Sequence, residues 1–175
     1  MRLASRGRSI DLRISHCLVF AFLAAAPPLA AQSIFLQAPA LGCGTAGGSN
    51  ALQVLSWSVG VSQSGSGTPT FSNLSVTKPF DECSTAFFGS SAAGKTIPSL
   101  TLTQTDKNRV AQTIIQLTNA TVTSDGSGGA NGSVNQTLSF SYDKICITNP
   151  AAQSSYCYDL TMAAAARMLH GRHEE

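Results

Sequence analysis

Polar and apolar positions alternate through most of the chain beyond residue 31. The clearest run places Leu55, Trp57, Val59 and Val61 at every second position, with Ser56, Ser58, Gly60 and Ser62 between them. A period of two is that of a strand with one buried face, because successive side chains leave a strand on opposite sides. The run holds the single Trp and no charge. It predicts the central strand of a β core over residues 51–63, with Trp57 as a packing residue. Further strands are predicted at 33–38, closed by Pro39, and at 70–77, where Leu74 and Val76 share a face. Another is marked by Leu100 and Leu102 alternating with Thr101 and Thr103. The long strand at 110–123 changes its inward set from Ile115 and Leu117 to Ala120 and Val122, which predicts a bulge near Thr118-Asn119. Leu138, Phe140 and Tyr142 mark the next strand and 144–148 continue the sheet. Asn149-Pro150 turns the chain, and Tyr156-Cys157-Tyr158 returns as a strand.

The period changes once in this region. Residues 79–89 predict a short helix, with Asp81 as cap, acidic residues where the dipole favours them, and Gly89 as terminator. Phe87 or Phe88 is its anchor into the core. Loops are predicted at 41–50, 64–69 and 124–132 from their glycine, serine and asparagine content. Residues 162–169 have high helix propensity, and docking or fraying of that segment remains open.

Three stretches together resemble the Hcp proteins, which build the inner tube of type VI secretion systems. The first is Val54-Leu55-Ser56-Trp57-Ser58 running into Gly60-Val61-Ser62-Gln63. The second is Phe71-Ser72-Asn73-Leu74-Ser75-Val76-Thr77-Lys78, followed by a helix, Gly94-Lys95 and a strand. The third is Leu138-Ser139-Phe140-Ser141-Tyr142-Asp143-Lys144-Ile145. They fall in the family's order at about its spacing, over residues 34–147. The resemblance implies an all-β fold: a small closed β-barrel of two antiparallel sheets with one short flanking helix, assembling as a hexameric ring. The chain departs from the family's usual form in its leader, its four later cysteines and a segment continuing past Thr148.

The first 31 residues read as a secretory signal. Arg2, Arg6, Arg8 and Arg13 precede a short apolar run at 17–26, then Pro27-Pro28 and the small residues Ala30-Ala31. The run is shorter than the about 20 residues of a spanning helix. Export to the periplasm or medium is expected, with residues 32–160 as the β domain and 161–175 as a tail. Without the leader, seven Lys and Arg face eight Asp and Glu, a net charge of −1. That excludes a basic surface for nucleic acid. Only 11% of the chain is charged, against about 25% in a typical soluble domain, so hydroxyls and amides supply the polar surface.

Cys43, Cys83, Cys146 and Cys157 form an even set suited to an oxidising compartment. Zinc competes, but no C-x-x-C pair or body histidine supplies ligand spacing. A hairpin turning at 149–154 sets Cys146 opposite Cys157; the remaining pair is Cys43 with Cys83, which rests on the leftover count alone. Gly89-Ser90-Ser91-Ala92-Ala93-Gly94-Lys95-Thr96 matches the P-loop pattern, yet a helix precedes it and a strand follows, the reverse of what phosphate binding needs. His170 and His173 lie in the tail, so no Ser-His-Asp set is built into the core. The sequons at Asn73, Asn119, Asn131 and Asn135 are assigned no role. The chain therefore reads as an exported structural protein without catalytic residues, cofactor, metal or stable membrane insertion. Its expected partners are its own copies in a hexameric ring and effector or spike proteins of a secretion machine. A monomeric binding module using loop 124–132 is the alternative.

Overall fold

The computed structural model describes residues 32–44, 51–65 and 68–162. The expected leader and nearly all of the expected tail, including both of its histidines, lie outside the described residues. The chain runs β1 (Ser33–Gln37), a 3-10 turn (Pro39–Leu41), β2 (Leu52–Val54), β3 (Ser56–Ser58), β4 (Val61–Ser62), β5 (Thr70–Phe71), β6 (Leu74–Pro79) and α1 (Ser84–Ala92). It continues through β7 (Thr96–Thr105), β8 (Ala111–Ala130), β9 (Ser133–Ser141), β10 (Lys144–Asn149) and β11 (Ser154–Asp159). Nine strands form one sheet in the order β2-β1-β7-β8-β9-β6-β3, with β10 and β11 branching from β8, while β4 and β5 pair separately. All pairings are antiparallel.

The fold is mainly β with one helix, but the closed barrel expected from the resemblance is not found. The hydrogen-bonded order has two ends, β2 and β3. These are consecutive pieces of one stretch, separated only by Leu55, and they pair with β1 and β6 respectively. The expected central strand at 51–63 is therefore three short strands, two of them at the ends of the order. The reason is a slip in parity. Leu52 and Val54 are buried, then Leu55 and Ser56 both face solvent, and Trp57 turns back half-buried. A chain that changes face and partner at one residue cannot keep a ladder on both edges there; Leu55 contributes its N–H to Thr77 (2.8 Å). Leu55 and Val61, expected inside, are 50% and 61% exposed.

β8 is the trunk. Along one edge it pairs with β7; along the other it pairs first with β10, then with β9. Its buried set passes from Ile115 and Leu117 to Ala120 and Val122, and β7 changes from Ile97 to Leu100 at the same level, since Ile97 faces Ala120 and Leu100 faces Leu117. The bulge expected near Thr118-Asn119 is not found there: the register with β7 is unbroken across these residues, and the shift in pairing with β9 falls between Val122 and Ser124. Asn119, where the buried face changes, has φ +52°, a left-handed conformation that Asn tolerates better than most residues. Its Nδ2 donates to Asp143 Oδ2 (3.0 Å) and the Asp143 N–H donates to Thr118 O (3.1 Å). Leu36, Leu74, Leu102, Leu117, Leu138 and Phe140 are fully or almost fully buried and belong to one core.

The stretch expected as a loop at 124–132 is mostly strand. β8 and β9 form a hairpin that stays paired out to Ala130 and Ser133. It turns on Asn131 (φ +53°) and Gly132 (φ +80°), the two positive-φ residues of a type I′ turn. Gly126, Gly128 and Gly129 are exposed. β8 carries no large apolar side chain beyond Val122, so no apolar alternation could mark this part of it.

Candidate assembly surfaces

β6 alternates Leu74, Val76 and Lys78 into the interior, so the lysine follows the leucine and valine inside and is fully buried. A buried ammonium is tolerable only when paired and hydrogen-bonded. Lys78 Nζ lies 2.7 Å from Asp81 Oδ1 and donates to Ser84 Oγ and Pro79 O, both at 3.0 Å. Asp81 also accepts the Cys83 N–H (3.0 Å), and Ser84 Oγ accepts the Asp81 N–H (2.9 Å), so this cluster shapes the entry into α1. Buried Gln136 on β9 spends its amide N–H groups on both oxygens of Asp125 (2.9 and 2.8 Å) and on Ser84 O (3.2 Å). Its Oε1 has no partner in the interior. α1 is thus bolted to β6 and β9 by polar groups at Ser84, with Phe87 as the apolar pin: it is fully buried and meets the Phe140 ring edge-on, 5.9 Å between centroids. Phe88, the other candidate anchor, is 63% exposed. The helix passes the expected terminator Gly89 and runs to Ala92, with Gly94 at φ +60° closing it.

Two disulfides complete the frame. Cys43 joins Cys83 and Cys146 joins Cys157, the two pairs expected. The first is buried at the helix start. The second crosses β10 and β11 at directly opposed positions, with Cys157 exposed. Among the described residues β11 pairs with β10 alone, and β2 and β3 end the hydrogen-bonded order. A free edge presents unpaired N–H and C=O groups to another chain. The rows of Thr101, Thr103, Ser139 and Ser141 are half-buried between neighbouring strands, all hydroxyls and no charge. The Lys78–Asp81 contact is the one ion pair among the described residues.

The model of the family described as "Type VI secretion system effector, Hcp" matches residues 43–148, more than half of the chain. The chain belongs to the Hcp family. Solved structures agree in fold. Hcp1 from Salmonella typhimurium is 20% identical, with 75% of this chain and 97% of that one covered and a TM-score of 0.66. A type VI secretion system effector from Yersinia pestis is 19% identical, with 74% and 99% covered and a TM-score of 0.60. The secreted protein Hcp3 from Pseudomonas aeruginosa is 14% identical, with 73% and 96% covered and a TM-score of 0.60. No curated protein matches the chain in sequence.

Within this Hcp-family chain, the other sequence motifs fall apart as chemistry. The P-loop-like residues span the end of α1 and the start of β7: Gly89 is helical, Gly94 closes the helix and Thr96 opens the strand. Among the described residues no group of three or more His, Cys, Asp or Glu could hold a metal, and no helix is long and apolar enough to cross a membrane. Asn73 donates to Thr123 Oγ1 (2.9 Å) and Ser139 Oγ (3.2 Å), which ties neighbouring strands together. Tyr142 has its pKa raised by burial, and its OH donates to Ser72 O (2.9 Å) at the base of the β4–β5 arm. The sequence reading missed Lys78, Asp125 and Gln136 as structural residues. Lys78 was legible in principle, since it keeps phase with Leu74 and Val76; the Asp125–Gln136 pair depends on the register between β8 and β9.

Proposed function

We propose that the chain, freed of residues 1–31 on export, works as a structural subunit. Its own copies associate into hexameric rings and tubes of a type VI secretion machine. Membership of the Hcp family carries this reading. Three features support it: a β11 edge with no second strand partner among the described residues, a described surface on which Ser and Thr outnumber charges, and disulfides suited to an oxidising compartment. An uncharged hydroxyl face loses little on desolvation against a like neighbour, and a heterologous contact that closes on itself makes a ring. The subunit does no chemistry; effector or spike proteins are its partners beyond its own kind.

Light scattering on the oxidised protein without its leader, at micromolar concentration, tests this. A mass of six subunits is expected. A monomer at every concentration tried would overturn the structural role and favour a monomeric binding module. Mass spectrometry of protein exported by a bacterial host is expected to find Ala31 removed with the leader; an intact leader on exported protein would defeat that part.

A further inference from the structure

The two disulfides differ in what a thiol arriving from solution can reach. Cys43 and Cys83 are 1% and 7% exposed and belong to the apolar core. The attacking form in disulfide exchange is the thiolate, and carrying its charge into that core costs the desolvation of an unpaired ion. Cys157, by contrast, is exposed and Cys146 half-buried. Cys146 leaves the sheet on the same face as exposed Gln116, its neighbour on β8, while buried Ile145 takes the other face. Backbone groups at the β11 edge point along the sheet, so a strand added there pairs beside Cys157 rather than over it.

Opening the exposed bond leaves its surroundings in place. β10 and β11 pair at six positions, from Lys144 with Asp159 to Asn149 with Ser154, and β10 is held on its other side by β8. Next to the cysteines, Thr148 Oγ1 and Ser155 Oγ share a hydrogen bond of 2.9 Å. The turn is closed by the Ala152 N–H donating to Asn149 Oδ1 (3.1 Å) and the Gln153 N–H donating to Pro150 O (3.2 Å). This scaffold keeps the two separated sulfurs opposite each other, ready to rejoin.

We propose that Cys146–Cys157 is a thiol-exchange site that takes small thiols of the glutathione class at Cys157, whereas Cys43–Cys83 stays closed. The small thiolate attacks Cys157 Sγ and forms a mixed disulfide there. The bond to Cys146 breaks, and Cys146 Sγ leaves with the electron pair as a thiolate that takes a proton from water. Two outcomes follow. Cys146 attacks Cys157 Sγ, expels the small thiol and restores the bond, with no net redox change. Alternatively, a second small thiol attacks the small-molecule sulfur of the mixed disulfide. Cys157 is then released as a thiol; the protein disulfide has been reduced by two electrons and two small thiols oxidised to their disulfide. The chain thereby accepts a reversible cap, or gives up its surface crosslink, without unfolding. The inference does not rest on self-association.

The test incubates the oxidised chain without its leader in glutathione under native conditions. Free thiols are trapped with N-ethylmaleimide over time, and every cysteine is mapped by mass spectrometry. Cys146–Cys157 is expected to open at least about tenfold faster than Cys43–Cys83. Glutathione should be found on Cys157, the β-sheet circular dichroism should not change, and oxidised glutathione should reclose the bond. In the Cys146→Ser variant the resolving sulfur is gone, so oxidised glutathione is expected to cap Cys157 stably. Comparable opening of both bonds, or Cys43–Cys83 opening first, would overturn the proposal. So would glutathione on Cys146 instead of Cys157, loss of the sheet signal when the exposed bond opens, or a folded Cys146→Ser variant whose Cys157 takes no cap.

Discussion

The two disulfides sit in regions that are built differently. Cys43–Cys83 closes a separation of 40 residues and lies in the interior, beside Lys78, Ser84 and Phe87. Cys146–Cys157 closes a separation of 11, between strands already joined by a six-pair ladder, and faces solvent. Around α1, then, the covalent link joins parts that have no backbone ladder in common, and the polar cluster and Phe87 do the rest. In the β10–β11 hairpin the link duplicates what the ladder and turn supply. The lesson is that equal chemistry has unequal consequences: a crosslink matters most where little else restricts the separated segments.

The comparison is broken most severely at Phe87. Phe87→Ala removes the pin that joins α1 to Phe140 and leaves a cavity, an expected loss of about 3–5 kcal/mol. Urea unfolding of the variant checks it, and a loss under 1 kcal/mol would show that the helix is held by its polar cluster alone. Next come the crosslinks. The loop-entropy model gives about 4 kcal/mol for Cys43–Cys83 and about 3 kcal/mol for Cys146–Cys157. The existing ladder is expected to reduce the second further. Thermal unfolding of the Cys43→Ala/Cys83→Ala and Cys146→Ala/Cys157→Ala variants should therefore rank the first as the less stable; the opposite order would defeat the comparison.

A smaller change sharpens the α1 side. Asp81→Ala leaves Lys78 buried without its counter-charge, an expected loss of about 2–3 kcal/mol, set below the usual cost of breaking a buried pair because Asp81 itself is partly exposed. Asp81→Ala combined with Lys78→Met should recover part of it, and equilibrium unfolding of the single and double variants decides. The smallest effect lies past the β11 edge. The Thr161 hydroxyl and the Met162 N–H hold the Asp159 carboxyl below its usual pKa, with the Thr161 N–H and Lys144 adding to this. A depressed carboxylate contributes above the ordinary carboxylate pKa and loses that contribution as pH falls through the folded value. Amide exchange at Thr161 and Met162 should accelerate as pH falls through that range after correction for intrinsic rates, while exchange in β8 stays unchanged. No such difference would mean that the cap does not order this turn.

The sequence by itself determined what local pattern controls. Alternation found β6, β7, β9 and β10 because each buries one face, as Leu74 and Val76 or Leu138 and Phe140 do. The change of buried face in β8 was legible because Leu117 and Ala120 are out of step, although the bulge itself lies further on, between Val122 and Ser124; the hairpin that sets Cys146 against Cys157 needed only a turn at Asn149-Pro150. The resemblance carried by three short stretches named the family. Tertiary structure alone decided the rest. The parity slip at Leu55 exchanges one strand partner for another, and no local signal says which partners are available. β8 beyond Val122 carries no large apolar side chain and so no hydrophobic periodicity, although the Asn131-Gly132 turn was there to be read. The cluster of Lys78, Asp81, Ser84, Gln136 and Asp125 is complete only when α1 is packed on the sheet: Lys78 finds Asp81 and Ser84 close by in the chain, but Gln136 and Asp125 are brought in by the register of distant strands.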